Sequence, residues 1–412
     1  MNKLLFAIGA AAVACGAHAD TVELNGVTWT YVVNDADAKT VTLGDGTNPA
    51  MPTNTTIDAK YIPWTFTVGD DKYTVSQIAG KAFKNCSGLT GTLNIPPTVK
   101  KYTGNQAFYG TGLTGVSSFG DGLVAGNANI QETYVGSQLT GVVVVPDSYP
   151  QSLGYKTFDH CTNLTGIVVG TGTTEIAWYF ASWSDKLQGV WVKGMSTVTS
   201  GTQTYTPVSM RCAFRDCKNL KVILCGANTK LGTVYGNNYG LHNVTGCKVF
   251  VPANGYWDAV ADYLGGADTE LIPYGPLQSV NLQIDEAACR IIATPTTAAA
   301  LVQVLEAAPT FKSVFRLDTR VSVTNTIDLS DVTITEAMVS GVTFDRLMFS
   351  AKTQAQLSAI LAAFPATTPI SIDPTGLTEN MVIPNDYPNV HVKTVPGVAI
   401  KRTANGFMVI VR

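Results

Sequence analysis

The sequence is poor in charge and in histidine. Only 14% of its 412 residues are charged, the formal net charge is −3, and four histidines are present. Without a basic excess, the chain has no electrostatic basis for binding nucleic acid or an anionic membrane surface. Three histidines beyond residue 19 also leave few general bases for catalysis.

The usual signatures of spanning helices and of catalytic or metal sites are missing too. Beyond the N-terminal leader there is no run of 18 apolar residues, so no membrane-spanning helix is expected. Nucleophile-elbow, zinc-protease and phosphate-loop motifs do not occur, and the cysteine and histidine spacings fit no zinc motif. A pair of carboxylates brought together by the fold stays open as a glycosidase arrangement. We therefore expect no catalytic, cofactor-binding or metal-binding residues, and a protein that is not an enzyme.

The first 19 residues have the pattern of a secretion signal. Lys3 supplies the positive start, residues 4–13 the apolar core, and Ala17-His18-Ala19 a small-x-small cleavage site. This predicts an extracellular or cell-surface protein that is exported through a cleaved leader. Cys15 leaves a lipoprotein anchor open as an alternative.

Seven cysteines remain after such a cleavage, at 86, 161, 212, 217, 225, 247 and 289. An odd number leaves at least one unpaired within a single chain. Cys86, Cys161 and Cys217 occupy the same position of a repeat, where a small buried hydrophobic side chain fits. We expect core packing there, with a disulfide between neighbouring turns as the alternative.

An eight-residue stretch recurs and organises the chain. The strong copies are residues 82–89 (AFKNCSGL), 157–164 (TFDHCTNL) and 213–220 (AFRDCKNL), and weaker copies begin near Phe108, Tyr134 and Phe180. With the aromatic residue as origin, successive gaps are 25, 26, 24, 22 and 34 residues. Such a period indicates stacked units that cannot bury their apolar faces alone, which is typical of a solenoid. The predicted repeat core consists of Phe83, Cys86, Leu89, Phe108, Leu113, Phe158, Cys161, Leu164, Phe180, Leu187, Phe214, Cys217 and Leu220.

Each copy also carries a short strand pattern. After the leucine, apolar residues follow at +3 and +5, and a proline often comes next, as at Ile95-Pro96 and Val145-Pro146. Alternation over four or five residues predicts a strand with one inward face, and proline marks its end. The residue between the two apolar positions then points outward. This predicts a candidate binding face of Val143, Val168, Trp191, Leu224 and Phe250.

An outward row of apolar side chains marks either a partner site or a surface covered by another part of the chain. Both interpretations stay open here. The polar insertion at 194–207 is a loop that contributes to such a site or is merely tolerated at the surface.

Residues 73–96 (YTVSQIAGKAFKNCSGLTGTLNIP) resemble the BspA-like leucine-rich repeat of bacterial surface proteins. Residues 247–263 (CKVFVPANGYWDAVADY) are similar to the end of such arrays, where a last strand leads into a short helix. The resemblance covers about residues 60–274. It implies an extracellular, non-catalytic interaction surface, often in adhesion, and identifies no ligand.

The remaining segments predict a cap and a second repeat. Residues 20–75 alternate as strands around the turn 34–39, and a polar cap is what the first turn of a solenoid needs. Residues 290–309 align with 346–365, each reading as a strand followed by an amphipathic helix. A hairpin around Asn405-Gly406 closes the chain.

The predicted fold is therefore mainly β with some α. The predicted domains are a signal peptide (1–19), an N-terminal β-rich cap (20–75), a leucine-rich-repeat solenoid (76–274) and a duplicated β-α-β region with parallel strands (275–412). The favoured function is a secreted or surface-displayed repeat protein that binds a protein or glycan. The alternatives are a self-assembling structural surface component and, less favoured, an accessory module in polysaccharide processing.

Overall fold

The computed structural model describes residues 19–124, 131–195, 205–232, 240–259, 264–375 and 380–393, together with the backbone of 400–404 and 407–411. The predicted secretion signal, with Cys15, lies outside these ranges apart from Ala19, and so does most of the 194–207 loop. Within them, no helix has both the length and the apolar character needed to cross a bilayer.

The N-terminal segment is rich in β strands and precedes the first repeat. Its strands are β1 (Ala19–Leu24), β2 (Val27–Asp35), β3 (Thr40–Leu43), β4 (Ile57–Asp58), β5 (Thr65–Val68) and β6 (Asp71–Ile78), with a 3-10 turn at Ala59–Tyr61. The predicted hairpin at 34–39 is confirmed, because β2 pairs antiparallel with β3. Its turn is held by the Asp35 carboxylate, which accepts the backbone N–H groups of Asp37 and Ala38.

The solenoid strands are short and run parallel. They are β7 (Leu89–Ile95), β8 (Lys101–Tyr102), β9 (Gly112–Phe119), β10 (Gly141–Val145), β11 (Ser152–Leu153), β12 (Leu164–Val169), β13 (Glu175–Ile176), β14 (Gly189–Gly194), β15 (Thr206–Val208), β16 (Val222–Leu231), β17 (Lys248–Pro252) and β18 (Glu270–Tyr274). The principal ladder runs β10-β12-β14-β16-β17-β18, while β7 and β9 form a separate sheet with β4. The short helix expected near the end of the array falls partly outside the described residues.

The C-terminal region continues the same sheet. Its elements are β19 (Val280–Asp285), β20 (Arg290–Pro295), α1 (Ala298–Ser313), β21 (Asp318–Ser322), β22 (Ile327–Asp328), α2 (Glu336–Val339), β23 (Val342–Ser350), α3 (Gln354–Ala363), β24 (Ile370–Asp373), β25 (Met381–Ile383), β26 (Val390–Val392), β27 (Ile400–Ala404) and β28 (Phe407–Val411). From β20 the ladder β21-β23-β24-β26 is parallel, as the β-α-β pattern predicts. Strands β27 and β28 pair antiparallel, as the predicted closing hairpin requires, while its turn at 405–406 lies outside the described residues.

The two halves bury their apolar side chains on opposite faces of this sheet. The solenoid core holds the repeat aromatics, and the rings of Phe83, Phe108, Tyr134 and Phe158 stack at centroid distances of 5.1, 5.6 and 5.6 Å. The second core contains the helices of the C-terminal region and the outer face of the solenoid strands. The central solenoid strands are therefore covered on both sides.

A second backbone ladder runs along the flank of the solenoid, away from the strands. The N–H of Phe83 donates to the carbonyl of Ala107 in the next turn, Phe108 to Thr133, and Phe158 to Phe180. Residues two before and two after each of these donors also donate to the next turn. Each turn is thus fixed to its neighbour at three backbone positions, which sets the side chains of the flank in register.

This flank ladder corrects the predicted repeat origin at Phe180. In that turn it is the N–H of Ala181, not of Phe180, that donates to the following turn, at Ala213. Leu187 then lies six residues after the origin, as Leu164 does after Phe158. Phe180 still fills the core, but from the preceding position, so its ring stands nearly perpendicular to those of Phe158 (84°) and Phe214 (85°).

The duplication of the C-terminal region is visible in its helix caps. The side chain of Thr297 accepts the N–H of Ala300, and that of Thr353, 56 residues later, accepts the N–H of Gln356. A threonine at this position satisfies a backbone donor that the first turn leaves unpaired. Leu301, Val304, Leu305 and Ala308 are buried along α1, and Leu357, Ile360, Leu361 and Phe364 along and just after α3.

The two helices end differently, which the pattern did not predict. Helix α1 continues through Pro309 to Ser313, whereas α3 ends at Ala363, before Pro365. Proline removes one helical hydrogen bond, and tertiary packing of the extra turn offsets that loss. This extra turn places Phe311 against Phe250 of the solenoid.

Candidate binding surface

The predicted binding face is a buried interface, and this corrects the prediction. Val168 is 6% exposed, Trp191 4%, and Leu224 and Phe250 are fully buried, all within the core that includes α1. The Phe250 and Phe311 ring centroids lie 5.6 Å apart, and those of Trp191 and Phe315 lie 5.9 Å apart. The row is covered by the chain itself, so it is not open to an external partner.

Two glycines let the end of α1 come close to the strands. A Cβ atom on Gly166 would lie 2.2 Å from Cγ1 of Val314. One on Gly189 would lie 2.8 Å from Cγ2 of Thr310 and 3.0 Å from the ring of Phe315. Neither position tolerates a side chain without displacing the helix end.

Ion pairs surround the apolar contact. The ammonium group of Lys248 lies 2.9 Å from the Glu306 carboxylate of α1 and also pairs with Glu270. Burial opposes the charge of Lys248, but the two carboxylates outweigh it and raise its pKa. On the other side Lys193 lies 2.6 Å from Glu286 and stands over the Trp191 ring at 5.3 Å. These contacts fix the orientation of the C-terminal region on the solenoid.

The predicted outward position of Val143 is wrong for a different reason, namely the register of its strand. It is 2% exposed and belongs to the solenoid core together with Val145, while Val144 is 55% exposed. The ladder between β10 and β12 shifts between Gly141 and Val142, and Gly141 has φ +67°. Val143 pairs with Ile167, although Val143 lies four residues after its repeat leucine and Ile167 only three after its own. This offset of one residue exchanges the inward and outward positions.

The cysteines in the repeat pack as small hydrophobic side chains. Cys86, Cys161 and Cys217 are fully buried and free, and the Cys161 and Cys217 thiols lie 3.1 and 3.0 Å from backbone carbonyl oxygens. Burial raises the pKa of the Cys86 thiol to about 11, and raises the pKa values of Cys161 and Cys217 further. Among the described cysteines, Cys289 alone is exposed.

An open surface lies instead on the flank. The flank ladder aligns the residues that lie three positions before the repeat origins. These residues are Asn105, Gln131, Tyr155, Trp178 and Arg211. Their carbonyls are the acceptors of successive turns, so neighbouring members are about 4.8 Å apart. We call these five residues the flank row.

Aromatic and cationic side chains alternate around the flank row. The Arg211 guanidinium lies 4.1 Å from the centroid of the Trp178 ring, which remains 40% exposed. The Tyr155 ring packs edge-on against Trp178 at 5.7 Å and against Tyr179 at 5.8 Å. The Lys156 ammonium stands 5.2 Å from the Tyr155 ring. These contacts hold Trp178 upright at the surface rather than folded into the core.

A second line of rings continues the cluster. Trp183 stacks on His160 at 5.0 Å and on Tyr179 at 6.1 Å, and the Arg215 guanidinium lies 5.5 Å from the Trp183 ring. His160, Tyr179 and Trp183 all have positive φ. The left-handed turn at these positions directs their side chains outward, away from the repeat core.

The cluster borders a groove of about 570 Å³, which is lined by Gln131, Ser152, Gly154, Tyr155, Glu175, Ala177, Trp178, Tyr179 and Arg211. Its ionisable lining consists of one acid, one base and two tyrosines. Burial opposes the charge of nearby Lys156, but the Tyr155 hydroxyl and neighbouring carboxylates raise its pKa. The groove therefore combines aromatic rings with amide, hydroxyl, carboxylate and guanidinium groups and carries no net charge.

The sequence pattern did not reveal this cluster, because it placed the repeat origin of one turn at Phe180, one residue too early. With the origin at Phe180, the position three before it is Ala177, which interrupts the row. With the origin at Ala181, the same position is Trp178, directly between Tyr155 and Arg211 in the series. The signal was present in the sequence, but the larger aromatic residue at 180 concealed it.

The described residues contain no group of three or more histidine, cysteine or acidic side chains placed to hold a metal ion.

Comparison with known proteins identifies no family. No protein-family model matches the chain, and no curated protein matches it. Among solved structures it is similar to a leucine-rich repeat protein from Bacteroides ovatus (13% identity, TM-score 0.30, covering 93% of this chain and 76% of that one). It is also similar to the pneumococcal vaccine antigen PcpA (12%, TM-score 0.30, covering 91% and 99%) and to a leucine-rich cell surface protein from Faecalibacterium prausnitzii (14%, TM-score 0.23, covering 83% and 98%). The two leucine-rich proteins among these neighbours are of the kind that the repeat resembles.

Proposed function

We propose that the protein is a secreted or cell-surface, non-catalytic repeat protein that binds a protein or glycan partner through the aromatic cluster on its flank. The observation that carries this proposal is the contrast between the two surfaces. The apolar sheet face is closed by α1, while Trp178 is 40% exposed in a groove formed by four successive turns. Surface aromatic rings held by cations are enriched where proteins bind partners.

Export belongs to the same proposal and rests on the leader pattern of residues 1–19. It is tested by expressing the full chain in a bacterium and sequencing the N-terminus of the exported product, which should begin at Asp20. Retention of an uncleaved leader would contradict export, and a lipid-modified N-terminus at Cys15 would favour the anchored form.

Binding is tested with the chain 20–412 immobilised against two panels, one of glycans and one of purified extracellular matrix proteins. We expect at least one partner whose binding is lost when Trp178 and Trp183 are both replaced by alanine. The matched control is Tyr61→Ala, which removes a 47% exposed ring with a lysine over its face, on the cap far from the groove in sequence. A partner that is equally sensitive to both variants would contradict a site on the flank.

The alternative is a self-assembling surface component. The observation that favours it is a pair of exposed valines, Val144 on β10 (55% exposed) and Val124 after β9 (50% exposed). Sedimentation velocity over a concentration series decides between the two. Oligomers that dissociate on Val144→Lys would support assembly, while a monomer at all concentrations supports a binding protein.

A further inference from the structure

We propose that the flank groove binds an uncharged glycan chain along the axis of the solenoid, an inference that rests on the function proposed above. The groove follows equivalent positions of consecutive turns, because Gln131, Tyr155, Trp178 and Arg211 belong to one flank row. Four members about 4.8 Å apart span about 14 Å. That length fits a short linear run of sugar rings rather than one compact ligand.

The aromatic members explain the affinity for a sugar. A pyranose ring has an apolar face made of C–H groups, which packs on an aromatic ring. Tyrosine and tryptophan offer large rigid surfaces for such contact at little conformational cost. Trp178 remains 40% exposed, and its position is held by the Arg211 guanidinium and by a T-shaped contact with the Tyr155 ring. The platform is therefore formed before any ligand arrives, which lowers the entropic cost of binding.

The polar members explain the selectivity. Gln131, Glu175 and Arg211 end in planar groups with two or more hydrogen-bonding atoms, and the Ser152 hydroxyl lies 3.4 Å from the Glu175 carboxylate. Planar amide, carboxylate and guanidinium groups can contact two neighbouring hydroxyls of one sugar ring at once. These groups supply both donors and acceptors, as sugar hydroxyls require.

The charge balance decides between neutral and acidic glycans. Glu175 and Arg211 are the acid and the base in the lining, and outside it Lys156 is balanced by nearby Glu132 and Asp159. Arg215, at the far side of the cluster, pairs with Asp216 at 3.1 Å. A uronic acid or sulfated chain would meet Glu175 without a surplus of cations to compensate, so the groove favours uncharged sugars.

The experiment is isothermal titration of the chain 20–412 with neutral oligosaccharides from two to six units, covering α- and β-linked glucans, mannans, galactans and xylans. Oligogalacturonate is the acidic probe. We expect one neutral series to bind, with affinity rising from the disaccharide to the tri- or tetrasaccharide and then levelling. Trp178→Ala should weaken binding at least tenfold, Trp178→Phe should restore part of it, and Tyr61→Ala should leave it unchanged.

Three outcomes would overturn the inference. The first is that no neutral series binds, although a protein partner binds and is lost on Trp178→Ala; the proposed function then stands without the glycan. The second is that oligogalacturonate binds more tightly than every neutral series. The third is neutral binding that Trp178→Ala does not change, which removes the groove as the site. If no partner of any class depends on the cluster, the proposed function fails as well.

Discussion

Replacing Phe311 by alanine tests whether α1 closes the sheet face of the solenoid. Phe311 is fully buried, and its ring contacts Phe250 on the solenoid and Phe315 on its own segment. Removing a buried phenylalanine ring costs the transfer free energy of its atoms plus the cavity left behind, about 3–5 kcal/mol. Because the ring bridges the two cores, this loss weakens the docking of the C-terminal region as well as its folding.

Phe364 provides the matched control. It is 4% exposed, and its ring contacts Phe344 and Phe349, which both lie within the C-terminal region. Phe364→Ala should lower the free energy of unfolding by a similar amount without touching the solenoid. The two variants therefore separate a general loss of stability from a specific loss of docking.

The assay measures the fluorescence of Trp191, whose ring contacts Phe315 of the docked segment. The C-terminal region itself contributes no tryptophan, because none occurs after Trp257. Its signal is obtained by subtracting the emission of the same variant carrying Trp191→Phe. In native buffer we expect acrylamide to quench the Trp191 fluorescence in Phe311→Ala but not in Phe364→Ala. Urea unfolding should show comparable losses of the free energy of unfolding in the two variants. The reasoning would be refuted if Phe311→Ala cost less than about 1 kcal/mol and left Trp191 as protected as in the control.

Three further predictions follow from single sites. Gly166→Ala places a Cβ atom 2.2 Å from Val314 and should lower the free energy of unfolding, measured in urea, by about 1–3 kcal/mol. The control is Gly115→Ala on β9, where the nearest contact is the side chain of Thr92 at 3.1 Å, and this variant should lose less. Equal losses would contradict the close approach of α1. In the native chain 20–412 at pH 8, a disulfide reagent should modify Cys289 rapidly and the other six thiols only after unfolding. The six thiols are buried, and the pKa of Cys86 is raised to about 11. Two or more rapidly modified thiols would refute the packing described. Burial raises the pKa of the Asp159 carboxyl, despite the His160 imidazole 3.0 Å away, and one of its oxygens has no hydrogen-bond partner. The folded state thus holds this proton more tightly than the unfolded state, so stability falls as pH rises from the ordinary pKa of aspartate through the raised one. Asp159→Asn should therefore raise the midpoint of urea unfolding at pH 7 relative to the unaltered chain and lose this advantage near pH 3, and a gain of the same size at both pH values would contradict the assignment.

Local periodicity made much of the architecture predictable. The spacing of Phe83, Cys86 and Leu89, repeated at 158 and 214, indicates stacked turns because each unit must bury the same apolar face against the next. The 56-residue duplication was readable for the same reason, and its two threonine caps lie where the aligned helices begin. Patterns of this kind are written into neighbouring residues and need no knowledge of distant contacts.

Register was less predictable, because single residues decide it. A glycine follows the repeat leucine by two residues both at Gly141 and at Gly166, yet of the two only Gly141 adopts a left-handed conformation, and the inward residues of its strand come one position later. Likewise Phe180 is the more conspicuous core residue, but Ala181 holds the repeat position in the backbone ladder. These choices depend on hydrogen bonds to adjacent turns, and they determine that Val144 faces outward and that Trp178 joins the flank row.

The sequence by itself determined that this protein is a solenoid with an apolar outer row and a second, duplicated region, because repetition and alternation are local properties. The tertiary structure alone decided what the row does. Its cover comes from residues 310–315, about 60 positions beyond Phe250, the last member of the row. Closing that distance depends on shape, on the space left by Gly166 and Gly189 and on an extra helical turn past Pro309. As a result, the face that hydrophobicity marked for binding is an internal interface, and the exposed aromatic surface lies on the flank.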